Sequence, residues 1–340
     1  MRSYLRFFLA LAFAAGLLIF PAEALEASRT AIALWALSVA PALFPFLAVL
    51  PFLTGAEARG VYARAFGWLT RFAFALPGSA ASALVVGLVS GSPAGAMAVA
   101  RVARSERLTT GQASRMAGIA CGLGPIYVVS GMGVALAGSA QIGWRLALSQ
   151  LAALLCTGVL FRWAWRASDQ VPSVDSDAAQ ADFGVSRAVL SILKVGGYMT
   201  VFAAGIAIAA ALFGAWFSHA SLAIDLPTGA AHAQASGIHR AWVAAALGFG
   251  GMCIAAQNMS ALRAVGVTWG KYLVQKLATA VFCAGFYLAQ ESLAPSGWLA
   301  WSPHGAEFEA ATAGIAALML PVAGALLLAF FGKRAKIGDS

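Results

Sequence analysis

Two interruptions in strongly apolar sequence constrain the fold of this chain more than any other feature. They are Ser90-Gly91-Ser92-Pro93 and Gly122-Leu123-Gly124-Pro125, and both lie between Gly87 and Gly133. In hydrocarbon, non-helical backbone is tolerated only where protein or a water-filled cavity surrounds it. Broken helices that recur in the two halves of one chain are typical of a transporter-like binding site at the bilayer midplane. The interruptions therefore predict a polytopic membrane protein with a site for a substrate.

The composition excludes a soluble protein and argues against nucleic-acid binding. Hydrophobic residues make up 61% of the 340 positions, charged residues make up 10%, and the mean hydropathy is +0.82. Soluble domains contain roughly 25% charged residues. The net charge of +9 comes from basic residues in short loops between apolar runs, as the positive-inside rule expects. The sequence has no basic face interleaved with aromatic residues on a soluble domain, so we expect no nucleic-acid partner.

The residue types that usually carry chemistry are scattered along the chain. The four cysteines and four histidines lack the spacing of a zinc site or a redox motif. Ser92 has no histidine near it in sequence to act as a base. Walker A and His-Glu-x-x-His motifs are absent from the sequence. We therefore expect no enzyme activity, no cofactor and no metal site, and we expect the cysteines to be inert packing residues.

Apolar runs of about 20 residues, the length of one helical crossing, indicate the membrane spans. Seven such runs lie near 5–25, 29–53, 116–137, 144–165, 188–217, 272–290 and 310–331. The Gly-rich stretches 73–100 and 240–262 have two interpretations, a simple crossing or a hairpin. The first run is either an uncleaved helix, which the family resemblance below favours, or a signal peptide, because Ala22-Glu23-Ala24 resembles a signal-peptidase site.

Clusters of basic residues predict the membrane side of the loops. The clusters, which should be cytoplasmic, are Arg59, Arg64 and Arg71, then Arg101, Arg104, Arg107 and Arg115, and finally Lys333, Arg334 and Lys336. With the first two clusters on one side, 73–100 becomes a re-entrant hairpin with its tip near Ser90 to Pro93. Ser92 would then cap a helix whose first residue is Pro93. We expect a multi-pass protein of the inner (plasma) membrane with a cytoplasmic N-terminus.

A polar, acidic linker at 167–186 divides the chain into two halves of similar size. Short matches at an offset near 160 residues indicate an internal repeat. We therefore predict an N-terminal helix at 1–28, a first repeat at 29–166, a second repeat at 187–332 and a basic tail at 333–340. The predicted helix breaks within the repeats are Pro41, Pro45, Gly196, Gly197, Gly250 and Gly251. Charge favours inverted repeats, but strict inversion places Lys333 and Arg334 on the outer face, and this conflict stays open.

Several motifs occur in the order of a known family. They are Leu34 to Phe46, Ser90 to Ala96, Gly124-Pro125, Val195-Gly196-Gly197, and Gly248 to Gly251 through Gln257. With these motifs the chain resembles the sporulation integral membrane protein YlbJ family, whose members carry the nucleoside-recognition (Gate) domain of concentrative nucleoside transporters. The resemblance implies a permease for a small polar, nucleoside-like solute, with or without a coupling ion. The alternative is a structural or assembly membrane protein linked to spore formation.

The candidate substrate-binding residues follow from the breaks and from two amides. At Ser90, Gly91, Ser92, Pro93, Gly124 and Pro125, backbone N–H groups at half-helix starts would face a polar or anionic group. Gln257 and Asn258 add side-chain donors and acceptors. The alternative for the breaks is close helix packing through small residues, and for the amides it is hydrogen bonding between helices.

Overall fold

The computed structural model describes residues 2–165, 184–214 and 221–293, and the regular elements in these ranges are helical. The α-helices are α1 Arg2–Ile19, α2 Pro21–Leu34, α3 Ala40–Leu53, α4 Ala56–Phe74, α5 Ala81–Ser90, α6 Ala94–Ser105, α7 Thr110–Ala120, α8 Ala140–Leu160, α9 Gly184–Phe213, α10 Leu226–Ala235, α11 Arg240–Phe249, α12 Gly251–Leu262 and α13 Trp269–Leu293. Two π-helical segments are Trp35–Val39 and Tyr127–Leu136. The predicted span 310–331, the basic tail and most of the linker lie outside the described residues.

The described helices confirm an all-α polytopic membrane protein. Four segments are long and apolar enough to cross a bilayer, namely Ala140–Leu160, Ala188–Phe213, Arg240–Val265 and Trp269–Leu293. Two bent pairs, Phe7–Ile19 with Pro21–Leu37 (101°) and Ala56–Phe74 with Gly78–Ser90 (109°), raise the number to six within the described ranges if each is one span. Within each helix the backbone N–H and C=O groups pair with one another, as a hydrocarbon environment requires.

Three of the predicted apolar stretches are bent or interrupted in the structure, one of them where no break was predicted. The run 5–25 bends at Phe20, between α1 and α2. The run 116–137 is broken after α7 and resumes at Pro125. The stretch 240–262, which had two interpretations, counts as a single crossing from Arg240 to Val265. Within it, Gly250 and Gly251 have positive φ values of 86° and 77° and separate α11 from α12.

Residues 81–105 form a helical hairpin. Helices α5 and α6 have 10 and 12 residues, so each is about 15 to 18 Å long and too short for a hydrocarbon core of about 30 Å. A Cβ atom on Gly95 of α6 would lie 2.9 Å from the Cα of Gly87 in α5, so the two helices run side by side. Arg59 at the start of α4 forms a 2.8 Å ion pair with Glu106 after α6. The start of α4 therefore lies beside the end of α6.

The helix cap predicted at the hairpin tip is wrong. Helix α6 begins at Ala94, and the residue before it, Pro93, makes no side-chain cap. The Ser92 hydroxyl oxygen instead accepts a hydrogen bond from Asn258. A tertiary contact thus takes the place of the local capping bond.

The predicted helix break at Gly196 and Gly197 is also wrong, because α9 runs without interruption from Gly184 to Phe213. A Cβ atom on Gly196 would lie 2.8 Å from Cε2 of Trp35. The Trp35 indole N–H donates to the Ile192 carbonyl oxygen of α9 at 3.0 Å. Gly196 therefore makes room for an indole ring and does not break the helix.

The prolines of α3 do not break a helix either. Pro41 lies in the first turn of α3, where its missing N–H costs nothing, and Pro45 lies inside α3. The irregularity is the π-helical turn Trp35–Val39, which directly precedes α3. Single π-helical turns of this kind occur inside α-helices, so the helix widens here and continues into α3.

Small residues surround the hairpin and α7. Buried alanines dominate this core, among them Ala83, Ala96, Ala98, Ala113, Ala117 and Ala120. Small side chains let helix backbones approach closely in a membrane, where van der Waals packing holds helices together. The hairpin tip is thereby placed against the break that follows α7.

Candidate functional site

The hairpin tip and the α7 break contact each other directly. The Ser92 N–H donates to the Gly122 carbonyl oxygen at 2.8 Å. Gly91 has a φ of 74°, and a Cβ atom on it would lie 2.1 Å from the backbone nitrogen of Gly124. Glycine at position 91 is required both by its left-handed backbone and by this approach. The two interruptions noted in the sequence thus form one junction.

Side chains from two other helices pair the open backbone of the α7 break. The Gln150 amide of α8 donates to the Leu123 carbonyl oxygen at 2.7 Å and accepts from the Leu123 N–H at 3.3 Å. The Lys276 ammonium of α13 donates to the Cys121 carbonyl oxygen. Buried backbone groups need partners wherever they leave a helix, and these contacts supply them.

Asn258 of α12 joins the hairpin to α13. Its side chain is fully buried, and its Nδ2 group donates to the Ser92 hydroxyl at 3.0 Å and to the Tyr272 hydroxyl at 2.8 Å. Its Oδ1 atom is buried and has no hydrogen-bond partner among the described residues. An unpaired buried acceptor costs about 1 to 3 kcal/mol. The junction therefore holds one buried acceptor that has no partner among the described residues.

Gln257 lies on a cavity of about 140 Å³ between α6, α9 and α12. The polar residues that line it are Ser191, Lys194, Tyr198, Gln257 and Ser260. The Gln257 amide donates to the Cys253 sulfur at 3.4 Å, a weak bond because sulfur is a poor acceptor. Pro93 of the hairpin tip also lines this cavity, so the cavity adjoins the junction.

The structure brings most of the candidate site residues together, with differences among them. Ser92 and Asn258 are hydrogen-bonded, and Gly91 and Gly124 are in contact. The Ser90 hydroxyl donates to the Val86 carbonyl oxygen of its own helix at 2.6 Å, so it is engaged within α5. Pro125 starts the helical segment that continues into Tyr127–Leu136.

The second glycine pair lies elsewhere. A Cβ atom on Gly251 would lie 3.2 Å from the Ile224 carbonyl oxygen and 3.3 Å from the Leu226 nitrogen. A Cβ atom on Gly250 would meet no neighbouring atom within 4 Å. Asn258 therefore contacts the hairpin tip, whereas the nearest atoms to Gly251 belong to Ile224 and Leu226.

Sequence reasoning missed the polar face of α13. Its buried members are Tyr272, Gln275, Lys276, Thr279, Cys283 and Tyr287. Their spacing of three to four residues places them on one side of the helix. The Gln275 amide donates to the Ser114 carbonyl oxygen at 2.9 Å, and Thr279 bonds to Thr157 at 2.9 Å. This spacing, together with a lysine inside a predicted span, was the signal that the sequence offered.

The fold and the junction define the class of this protein, an all-α polytopic membrane protein whose broken helices meet around buried polar groups. The chain is similar to the sporulation integral membrane protein YlbJ of Bacillus subtilis (strain 168), with 27% identity over 210 residues. The similarity covers 54% of this chain and 50% of the relative, so the chain spans about half the length of the curated relative that it matches. This similarity supports the YlbJ-like family assignment that the motifs predicted. No family model matches the chain, and no solved structure matches it significantly.

Proposed function

We propose that this protein is a transporter-like permease that binds a small polar solute between the hairpin tip, α9 and α12. The observation that supports this proposal best is the buried junction itself, where Asn258 bonds to Ser92 and keeps one acceptor unpaired among the described residues, while the neighbouring residues Gln257 and Pro93 line the cavity. Broken helices that meet at membrane depth are where secondary transporters hold their substrates. Polar side chains inside a membrane are expensive and mark such pathways.

The cavity is small for a binding site, which indicates which state of a permease the structure represents. Its volume is about 140 Å³, whereas sites for drug-sized ligands measure roughly 300 to 1,000 Å³. A nucleoside-like solute, the class that the family resemblance suggests, requires a wider cavity than this one. The arrangement is therefore consistent with a closed state. The amide and hydroxyl groups on the wall are suited to a solute with both donors and acceptors.

We place this permease in the inner membrane, with the Arg59 and Arg104 clusters on the cytoplasmic side, because basic loops remain in the cytoplasm. We assign it no catalytic role and no cofactor. Any uphill transport would be driven by an ion gradient, since the sequence contains no Walker A motif.

Gln257→Ala tests the site. The substitution removes a cavity-facing amide and is expected to weaken solute binding by about 1 to 3 kcal/mol, or about 5- to 150-fold. Stability should stay near that of the wild type, since the amide bonds only weakly to Cys253. A thermal-shift screen with small polar solutes, including nucleosides, identifies a ligand, and uptake into proteoliposomes measures its transport.

The matched control is Gln290→Ala. The Gln290 amide bonds to Ser149 and to the Arg145 carbonyl oxygen, away from the cavity, so solute affinity should not change. If Gln257→Ala lowers the stability and leaves solute affinity unchanged, the amide only links helices and is not part of the site.

A structural or assembly role is the second candidate, because the printed name of the relative links that protein to sporulation. Under this alternative no solute in the panel raises the thermal stability of the wild type, and none accumulates in proteoliposomes that contain correctly inserted protein. Binding and uptake of one solute exclude it.

A further inference from the structure

Lys276 is a charged side chain in the interior of the helix bundle. It lies on α13, which is one of the candidate spans, and only 1% of its surface is exposed. Its ammonium group donates to the Cys121 carbonyl oxygen and lies 5.7 Å from the centre of the Tyr272 ring. A buried ammonium is costly unless its surroundings compensate the charge. Lys276 therefore calls for an explanation beyond packing.

Among the described residues, no carboxylate lies within ion-pair distance of Lys276. The ion pairs of Arg59 with Glu106 and of His239 with Glu291 do not involve Lys276. The Tyr272 ring near the ammonium group is polar but uncharged. The ammonium group is thus compensated by a backbone carbonyl oxygen and by the negative end of the helix that ends at this carbonyl.

That carbonyl stands at the C-terminal end of α7. Cys121 is the residue that caps this helix, where the unpaired carbonyl groups concentrate the negative end of the helix dipole. The next two carbonyls, of Gly122 and Leu123, accept from the Ser92 N–H and from Gln150. In secondary transporters, unwound carbonyls and helix C-termini of this kind coordinate the coupling cation.

We propose that Lys276 is a tethered cation. Its ammonium group occupies the monovalent-cation position at the carbonyl end of α7, and it links α13 to the junction with the hairpin. The junction then needs no mobile sodium or potassium ion. If the protein is a permease, as proposed above, this position makes transport no more dependent on sodium. The replacement of a bound cation by Lys276 does not itself depend on the permease function.

Substitutions of Lys276 in the purified full chain test this proposal in detergent without a substrate. Lys276→Ala leaves room and removes the charge, and Lys276→Met keeps the length without the charge. The melting temperature is measured in choline chloride, sodium chloride, potassium chloride and propylammonium chloride, with 1-propanol as the uncharged analogue. These readouts report stability, so an inactive permease leaves the test intact.

Both variants are expected to melt several degrees below the wild type in choline chloride. Propylammonium should raise the melting temperature of Lys276→Ala more than that of the wild type, and 1-propanol should not. Lys276→Met should not recover in any salt, because its side chain fills the position. The proposal is overturned if Lys276→Met has the same melting temperature as the wild type. It is also overturned if no cation raises the melting temperature of Lys276→Ala more than that of the wild type.

If Lys276→Ala cannot be purified, the rescue experiment is replaced by a comparison of the yields of folded Lys276→Arg and Lys276→Met. A tethered cation predicts more folded protein for the arginine variant, which keeps the charge. Equal or reversed yields contradict the proposal.

Discussion

Gly95→Ala is expected to destabilise this protein by about 3 kcal/mol or more, at the upper end of the cost of overpacking a close-packed interior. A Cβ atom at this position would lie 2.0 Å from the Ala120 carbonyl oxygen and 2.9 Å from the Gly87 Cα. Both neighbours are backbone atoms, so no side-chain rotation relieves the overlap, and α6 has to move from α7. The Ser92 to Gly122 contact would weaken with it. Thermal unfolding in detergent measures the loss.

Gly285→Ala is the control for this prediction. Gly285 lies within α13, and no atom lies within 4 Å of the position that its Cβ would take. Alanine in a helix interior is more stable than glycine by roughly 0.5 to 1 kcal/mol, so this variant should melt slightly above the wild type. If the two variants melt together, the close packing of the hairpin against α7 is not present.

Gln150→Leu is expected to have the second largest effect. It leaves both the N–H and the carbonyl group of Leu123 without their side-chain partner. An unpaired buried polar group costs about 1 to 3 kcal/mol, so the loss of two amounts to several kcal/mol. The melting temperature should fall sharply, and solute binding should weaken because the break supports the hairpin tip.

Gln290→Leu is the corresponding control. It also replaces a helical glutamine that donates to a backbone carbonyl, that of Arg145, but the side chain is only partly buried. Water can take over at such a position, so a loss below about 1 kcal/mol is expected, as for an ordinary hydrogen bond. Equal losses for Gln150→Leu and Gln290→Leu would show that the break does not depend on its side-chain partners.

The hairpin was predictable because its signals are local. Ser90 to Pro93 interrupts an apolar run that is too short on either side to cross the bilayer, and arginines flank it at both ends. These features follow from the cost of unpaired backbone groups in hydrocarbon and from the charge of cytoplasmic loops. The importance of Asn258 and Gln257 could also be predicted from local sequence, because amides in apolar sequence need hydrogen-bond partners or a cavity.

The errors concern contacts between residues that are distant in sequence. Gly196 was predicted as a helix break because glycine weakens helices, but Trp35 occupies the space beside it. The partner of Lys276 is a carbonyl group 155 residues away, and no periodic pattern encodes such a pairing. Local sequence thus identifies an exceptional residue, whereas the tertiary fold decides what it contacts.

Labelling of single cysteines at Gly60 and Ser105 tests the hairpin most directly. Both positions are exposed, Gly60 near the start of α4 and Ser105 at the end of α6, and a Cβ atom at Gly60 meets no other atom within 4 Å. The background replaces Cys121, Cys156, Cys253 and Cys283, and an impermeant thiol reagent is applied to either face of oriented vesicles. The Arg59 to Glu106 ion pair predicts that both cysteines react from the same face. Reaction from opposite faces would show that the chain crosses the membrane between α4 and the end of α6, and it would contradict both the ion pair and the re-entrant hairpin on which the proposed site depends.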